Sequence, residues 1–206
     1  MIGPVLGFDT SGPHCAMAIV ADGTVLARAF EPMTKGQAER LMPLIAGLLA
    51  EAGLKTADLS AVGVGTGPGN FTGTRIAVAA GRGLALGLGI PAEGVSAIDA
   101  YADGRAGVIV CLPAPRGDII LGRGTALHVH RAGDPLPTDW HGDLTGPSAD
   151  ALSAETGRSV QSAPDIAVSI ALIAARRAGA GRPRPAPVYL RAADAAPASD
   201  LPPVIL

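Results

Sequence analysis

The sequence is poor in aromatic residues, in charge and in cysteine, and each shortage excludes a class of protein. Aromatic residues make up 3% and charged residues 17% of the 206 positions, against 48% apolar residues, so an ordered chain with an aliphatic core is expected. No apolar run approaches the roughly 20 residues that a membrane-spanning helix needs. The sequence also opens without a charged leader and cleavage site, which predicts a cytoplasmic protein. Cys15 and Cys111 lie in apolar, strand-like segments and are expected to be buried and reduced.

Positive charge is sparse as well. The 16 basic residues comprise 14 Arg and two Lys, they are scattered along the chain, and the formal net charge is −2. Proteins that bind nucleic acid on their own gather basic residues into a patch or stripe. We therefore expect no autonomous binding of nucleic acid.

The first hundred residues change from strand-like to helical patterns. Three apolar segments separated by turns, the last two joined by the hairpin signal Asp22-Gly23, predict antiparallel strands; they are Val5 to Asp9, Cys15 to Ala21 and Thr24 to Phe30. The later elements are a helix over Gln37 to Ala52 ended by Gly53, a strand over Ser60 to Gly65, a helix from Thr72 or Gly73 to Leu88, a strand around Ala92 to Val95 and a short helix from Ser96. This order is that of a ribonuclease H-like α/β domain, the module doubled in the actin, Hsp70 and sugar-kinase superfamily.

Beyond Asp103 the pattern is looser and indicates a second, degenerate unit. We divide the chain into residues 1–103 and a smaller domain at 104–206, which includes a proline-rich segment and a C-terminal tail. Helices are predicted over Ala149 to Thr156 and over Ile166 to Ala178, the second opened by Asp165 as N-cap. The sequence leaves open whether this last helix packs on the second unit or returns to the first.

The glycine-rich segment 65–73 is the densest chemical signal. Gly65, Gly67 and Gly69 allow the main chain to approach a ligand, and the amides at the start of the next helix suit a phosphate or carboxylate. The segment is not a Walker A loop, since no Gly-Lys-Ser/Thr follows, and Asn70 replaces the third glycine of a Rossmann fingerprint. The alternative is a tight strand-to-helix crossing that only glycine permits.

Asp9-Thr10-Ser11 closes the first strand, where this superfamily places a carboxylate and hydroxyls near the phosphates and metal of a nucleotide. The same residues are typical of an Asx or Ser turn that caps a hairpin, and both interpretations stay open. A nucleophilic Ser11 is not expected, because His14 is too close in sequence to serve as its base and the other histidines lie in the degenerate half.

A metal centre is not expected either. His128 and His130 share one face of a predicted strand and offer two ligands, but no third ligand is evident unless His141 folds back. A solvated strand face is the preferred interpretation.

The helix after the glycine loop predicts an interface. Arg82 is its only charge between Ile76 and Leu88, and apolar or small residues occupy every face. A helix that is apolar all round must be covered all round, so we expect a partner helix against it. Cover by the second half of the chain is the alternative.

Four segments carry a resemblance to a known family: Leu6 to Ser11, Gly36 to Leu44, Gly65 to Arg75 and Tyr189 to Ala195. They resemble TsaB (YeaZ), the bacterial partner subunit of the machinery that makes threonylcarbamoyladenosine in tRNA. The pattern Gly-Pro-Gly-x-Phe-Thr-Gly-x-Arg, Gly67 to Arg75 here, is the most specific mark. In the looser second half, Pro113 and Pro115 stand within a family stretch and disfavour strand pairing there.

The resemblance implies an actin-like fold paralogous to the catalytic subunit TsaD, without TsaD's metal-binding histidine pair. It implies a scaffold that pairs with a TsaD-like subunit, and the ATPase TsaE docks on that pair. The chain meets tRNA only through the complex. It requires no cofactor itself, and any ATP and Mg²⁺ belong to the assembled complex. That complex transfers a threonylcarbamoyl group to the adenosine next to the anticodon in tRNAs that read codons beginning with A. The partner surface implied here comprises Arg40, Leu41, Leu44, Ile45, Leu48, Thr72, Arg75, Ile76, Ala79, Ala80 and Gly83.

Our leading hypothesis is therefore a non-catalytic TsaB-like subunit that forms a homodimer when alone. The alternative is a small phosphohydrolase or kinase of the actin-like class. That alternative would use Asp9, Thr10 and Ser11 with Gly65, Gly67 and Gly69 to hold a nucleotide or phosphate.

Overall fold

The computed structural model describes residues 3–179 and 183–190. Its larger sheet has five strands, which lie side by side in the order third, second, first, fourth and fifth along the chain; the first three are antiparallel and the other pairs are parallel. The strands are β1 (Val5–Asp9), β2 (His14–Ala21), β3 (Thr24–Pro32), β4 (Ala61–Gly65) and β5 (Ala92–Val95). This is the strand order and direction of a ribonuclease H-like domain, as the sequence predicted.

Three helices follow strands of this sheet. They are α1 (Gln37–Glu51), α2 (Phe71–Leu88) and α3 (Ala97–Ala102). Helices α1 and α2 pack on the same face of the sheet. Alternate residues of β2, such as Met17 and Ile19, lie in one apolar cluster with Leu41 and Ile45 of α1 and Ala77 of α2. The predicted ends at Gly53 and Leu88 are confirmed, and Gly53 follows α1 with φ of 68°. Helix α2 begins at Phe71, one or two residues before the predicted start, because Asn70 caps it by accepting from the Gly73 amide.

The second half builds a smaller sheet of order β8-β7-β6-β9. Its elements are β6 (Ile109–Pro113), β7 (Ile119–Arg123), β8 (Ala126–His130), β9 (Leu144–Thr145) and α4 (Ala149–Thr156). Trp140 packs with Ile109, Leu144 and Leu152 in a separate small core. Together with the larger sheet this gives the expected α/β fold, with a reduced second unit.

Pro113 and Pro115 do not prevent strand pairing in this half. Pro113 pairs with Ile119 at the last position of the β6–β7 ladder, and the Ala114 amide donates to the Asp118 carbonyl at 2.9 Å. Pairing survives because Pro113 ends its strand, while Pro115 opens a one-turn 3₁₀ helix that forms the hairpin loop.

The last helix, α5 (Ile166–Arg177), returns to the larger sheet and packs on its other face against β1, β2 and β4. Two strand glycines allow this approach. A Cβ at Gly7 would collide with the Ala167 carbonyl, and one at Gly63 would lie 2.8 Å from the Ala174 Cβ. The larger sheet is therefore covered on both faces. No helix in the described part of the chain is long and apolar enough to cross a bilayer.

Candidate partner interface and glycine loop

The glycine loop and the Asp9-Thr10-Ser11 turn pack directly on each other, at the carboxyl ends of β4 and β1. Gly65 faces the Asp9 carboxylate, Gly69 faces the Ser11 carbonyl and Gly73 faces the Thr10 carbonyl, and a Cβ on any of the three would collide. The Thr10 hydroxyl donates to the Gly73 carbonyl at 2.6 Å. These glycines are explained by the close contact of two turns.

Asp9 is fully buried and its oxygens are engaged by its own chain. They accept from the Ser11 amide at 2.9 Å and from the Ser11 hydroxyl at 2.9 and 3.0 Å, and Oδ2 lies 2.9 Å from His14 Nε2. The carboxylate thus stands between the hydroxyl and the imidazole. A hydrolytic triad needs the imidazole in the middle to take the proton from the hydroxyl, so this cluster does not activate Ser11.

All the residues predicted for a phosphate site come together here, and most already have protein partners. The Thr66 amide donates to Val95, the Asn70 amide to Ser11, and the Gly67 carbonyl accepts from Ala97. The Asp9 carboxylate is fully buried in this arrangement and is closed off from solvent. The geometry favours a structural brace that fixes the start of α2.

The last described residues lie beside this loop. The Val188 amide donates to the Thr66 carbonyl at 2.8 Å. The Tyr189 hydroxyl accepts from Arg75 Nε at 2.9 Å, and the Arg75 guanidinium lies 3.7 Å from the centre of the Phe71 ring. The Tyr189 end of the family segment therefore reaches the first turn of α2. Residues 183–190 form no strand, and residues 191–206, with the rest of the segment and the tail, lie outside the described residues.

The outer face of α2 is open. Residues facing the sheet, such as Ala77 and Gly81, are buried, whereas Ala79, Arg82 and Gly83 are exposed and Leu86 is 82% exposed. Tyr189 contacts Phe71 and Arg75 at the first turn of α2, and no described helix or strand of the second half packs extensively on this helix. An apolar groove of about 450 Å³ separates α2 from α1 and is lined by Met42, Thr56, Ala80, Gly83, Leu84, Gly87 and Leu88.

The residues that the resemblance placed at the partner surface differ in their exposure to solvent. Arg40, Thr72, Arg75, Ala79 and Gly83 are exposed, and Leu44, Ile76 and Ala80 are half-buried. Leu41, Ile45 and Leu48 are buried at 1–2% exposure, because their spacing is that of the stripe by which α1 packs on the sheet. These three lie beneath the surface and do not form it.

Arg40 is held on the flank of α1 that faces β3. Its Nε donates to Glu31 at 2.8 Å, and a second guanidinium nitrogen donates to the other carboxylate oxygen. This hydrogen-bonded pair lowers the pKa of Glu31 and raises that of Arg40. The fork fixes the Arg40 side chain against β3.

The prediction of a solvated strand face for His128 and His130 was wrong, because both side chains pack against other residues of the second half. His128 packs edge-on against Trp140, while His130 is buried and its Nε2 lies 3.2 Å from Glu155. The hydrogen bonds from the Gly133 amide and from His130 lower the pKa of Glu155. No group of three metal-ligating side chains occurs among the described residues.

Sequence reasoning missed His14 as a partner of Asp9, and Met42 and Gly87 as lining of the groove. His14 was judged only as a base for Ser11; the turn Ser11-Gly12-Pro13 was the signal that the chain folds back on Asp9. Met42 and Gly87 extend the apolar surface that the pattern of α2 indicated.

Comparisons with known proteins agree with the resemblance. A family model described as TsaD, tRNA N6-adenosine threonylcarbamoyltransferase, matches residues 31–167, more than half of the chain. An uncharacterised Pseudomonas aeruginosa protein, described as similar to the peptidase YeaZ, is 26% identical, with a TM-score of 0.73 over 92% of this chain and 100% of that one. No curated protein sequence matches significantly.

Two further solved structures share the fold. YeaZ from Pseudomonas aeruginosa is 24% identical, with a TM-score of 0.70 over 92% of this chain and 100% of that one. Component A of (R)-2-hydroxyglutaryl-CoA dehydratase from Acidaminococcus fermentans is 13% identical, with a TM-score of 0.55 over 86% of this chain and 99% of that one.

Proposed function

The chain belongs to the TsaD family, whose members are described as tRNA N6-adenosine threonylcarbamoyltransferase, and we propose that within it the chain is a scaffold subunit of the YeaZ (TsaB) type. In this proposal it pairs with a TsaD-like catalytic subunit and forms the platform on which a TsaE-like ATPase docks. The TsaD-like subunit catalyses the transfer of the threonylcarbamoyl group to tRNA.

The open face of α2 is the observation that carries this proposal. Arg75 and Arg82 are the only charged residues on an 18-residue helix whose outer side meets water, and an apolar groove runs beside it. Soluble monomers rarely leave such a surface uncovered, since burying it is favourable. A partner helix that enters the groove between α1 and α2 would bury it.

The brace beneath the glycine loop supports the same role. The contacts of Thr10 with Gly73 and of Ser11 with Asn70 fix the first turn of α2 against β1. A surface that is rigid before binding loses less conformational entropy on binding. In this interpretation the loop positions an interface.

Charge introduced on the open face should abolish pairing. Ala79 is exposed, and a Cβ at Gly83 would meet no other atom within 4 Å, so Ala79→Glu and Gly83→Glu are expected to fold normally. Each would place an unpaired carboxylate in an apolar interface, which should weaken co-purification with the cell's TsaD-like subunit by at least about 100-fold.

Ala154→Glu on the exposed side of α4 is the matched control and should pair normally. Normal pairing by both Ala79→Glu and Gly83→Glu would place the interface elsewhere.

The place in the pathway is tested in the cell. Depletion of the protein should remove threonylcarbamoyladenosine from bulk tRNA, as read by mass spectrometry of nucleosides. The unmodified chain and Ala154→Glu should restore it, and Ala79→Glu should not. An unchanged level after depletion would overturn the proposal.

The phosphohydrolase or kinase alternative has less support, because Asp9 is enclosed by its own chain. It predicts that ATP with Mg²⁺ raises the melting temperature and that Asp9→Ala removes the rise. The scaffold proposal predicts no rise for the chain alone.

A further inference from the structure

A second cavity lies on the side of the molecule away from the α1/α2 groove. It holds about 370 Å³ between the end of α3, the segment that leads into β6, the β7–β8 turn and the end of α5. Its floor is apolar, with Ile98 and Ile173. The size is within the range of small-molecule sites, which combine an apolar floor with a few polar groups.

The rim of this cavity is strongly basic. Arg105, Arg123, Arg176 and Arg177 line it, against the single carboxylate of Asp99. In a chain of net charge −2 with 14 arginines, four around one cavity is a local concentration that the sequence did not reveal. Asp99 is paired with Arg177 at 3.3 Å, so three positive charges have no carboxylate partner among the described residues.

Arg105 makes the cavity rigid. All five of its N–H donors form hydrogen bonds within the chain. They donate to the Ala102 carbonyl at 3.0 Å and the Tyr101 carbonyl at 2.7 Å. They also donate to Thr145 Oγ1 at 3.3 Å, Gln161 Oε1 at 2.9 Å and the Ser162 carbonyl at 3.3 Å. These bonds tie the end of α3 to β9 and to the chain that leads into α5. Arg105 therefore contributes charge and a fixed wall, and no free donor.

Arg123 and Arg176 supply the free donors. Arg123 uses one nitrogen on the Asp139 carbonyl at 2.7 Å, and Arg176, which is exposed, makes no hydrogen bond or ion pair with another described residue. Two guanidinium forks from different elements, β7 and α5, match an anion with three or more acceptor oxygens better than a carboxylate, which one Arg satisfies.

We infer that this cavity binds a phosphate group of a nucleotide, with the phosphate on Arg123 and Arg176 and the sugar or base in the rest of the cavity, over the floor to which the nearly buried Ile98 and Ile173 belong. The phosphate belongs to a free nucleoside monophosphate or to a phosphodiester of an RNA chain, which present the same chemistry. Binding of RNA would contradict the expectation, drawn from the scattered basic residues, that the chain alone binds no nucleic acid. The inference does not depend on the partner interface, because it concerns the isolated chain and the other side of the molecule.

Calorimetric titration of the isolated chain at low ionic strength tests it, with uridine monophosphate, uridine and a short oligouridine without terminal phosphates as probes. Uridine should not bind. Arg176→Ala and Arg123→Ala should each weaken binding of the preferred phosphate probe by about tenfold. Arg131→Ala removes one positive charge from a 68% exposed side chain outside the cavity and should change affinity less than twofold.

The two sources are distinguished by which probe binds more tightly: the monophosphate for a free nucleotide, the oligouridine for RNA. Absence of saturable binding by both would overturn the inference. So would equal binding of uridine, or a loss from Arg131→Ala as large as that from Arg176→Ala, since the latter would mean diffuse attraction.

Discussion

Asp9 determines how the turn after β1 is built. Its carboxylate is inaccessible to water and accepts from the Ser11 amide, the Ser11 hydroxyl and His14, whose ring packs on Phe30 at 5.0 Å between centroids. A buried carboxylate is tolerated only where donors surround it. Asp9 therefore stabilises the turn on which the glycine loop rests.

Asp9→Asn should destabilise the protein. The amide keeps the size of the side chain, but its nitrogen cannot accept, so one donor of Ser11 or His14 is left buried without a partner. We expect a loss of about 2 to 3 kcal/mol in the free energy of unfolding, measured by urea denaturation. Asp134→Asn, in an exposed turn, should cost less than about 0.5 kcal/mol. A gain in stability for Asp9→Asn would contradict the structural role and mark a carboxylate kept for chemistry.

The cysteines were predictable at the residue scale. Both are buried and free, as their apolar neighbours indicated. Burial raises the pKa of Cys15 to about 11 and that of Cys111 to about 12, so both stay protonated at neutral pH and are poor nucleophiles.

At the scale of elements, α2 has one side packed on the sheet and one side open to solvent. Gly81 lies on the packed side and Gly83 on the open side. A Cβ at Gly81 would collide with the Val64 side chain and lie 3.4 Å from Phe8, whereas one at Gly83 meets nothing within 4 Å. Gly81 is thus required for the contact between helix and sheet, and Gly83 is not required for the fold.

Gly81→Ala and Gly83→Ala form a matched pair in one helix. The first should lower the free energy of unfolding by about 1 to 3 kcal/mol through overpacking. The second should raise it by up to about 1 kcal/mol through helix propensity. Thermal or urea unfolding of the two variants checks this; equal effects would mean that α2 does not pack on β4 as described.

The elements themselves were largely predictable, but the position of α5 was not. Periodicity and the cap Asp165 gave its bounds to within one residue. Its small face, with Ala167, Ala171 and Ala174, fits any close-packed surface, so local pattern cannot choose a sheet. The available signal was in the strands, where Gly7 and Gly63 mark a close backbone approach.

The sequence predicted which residues come together at the candidate site, but it did not predict whether they bind a ligand. Spacing and resemblance brought Asp9, Gly65 and the start of α2 to one place. Whether the glycines receive a ligand or a neighbouring turn depends on contacts between segments more than fifty residues apart, such as Thr10 with Gly73. The basic cavity escaped notice for the same reason, since its arginines are far apart in sequence.

At the scale of the whole molecule, the larger sheet is covered by α5 on one face, while the helices on its other face have an unprotected outer side. The chain alone should therefore associate through the α1/α2 surface and sediment as a homodimer whose fraction rises with concentration. Addition of the TsaD-like subunit should dissociate this homodimer, because the TsaD-like subunit and a second copy of the chain would compete for the same surface. A monomer at every concentration would contradict the prediction.

Trp140 is the only tryptophan of the chain, and it is buried at 6% exposure in the small core beside β6 and β9. Its fluorescence therefore reports on the smaller sheet alone, whereas far-ultraviolet circular dichroism is dominated by α1, α2 and α5 on the larger one. The two optical signals follow different halves of the same molecule. Superimposable unfolding curves would mean that both halves unfold as one cooperative unit, and separated curves would measure the stability of each half.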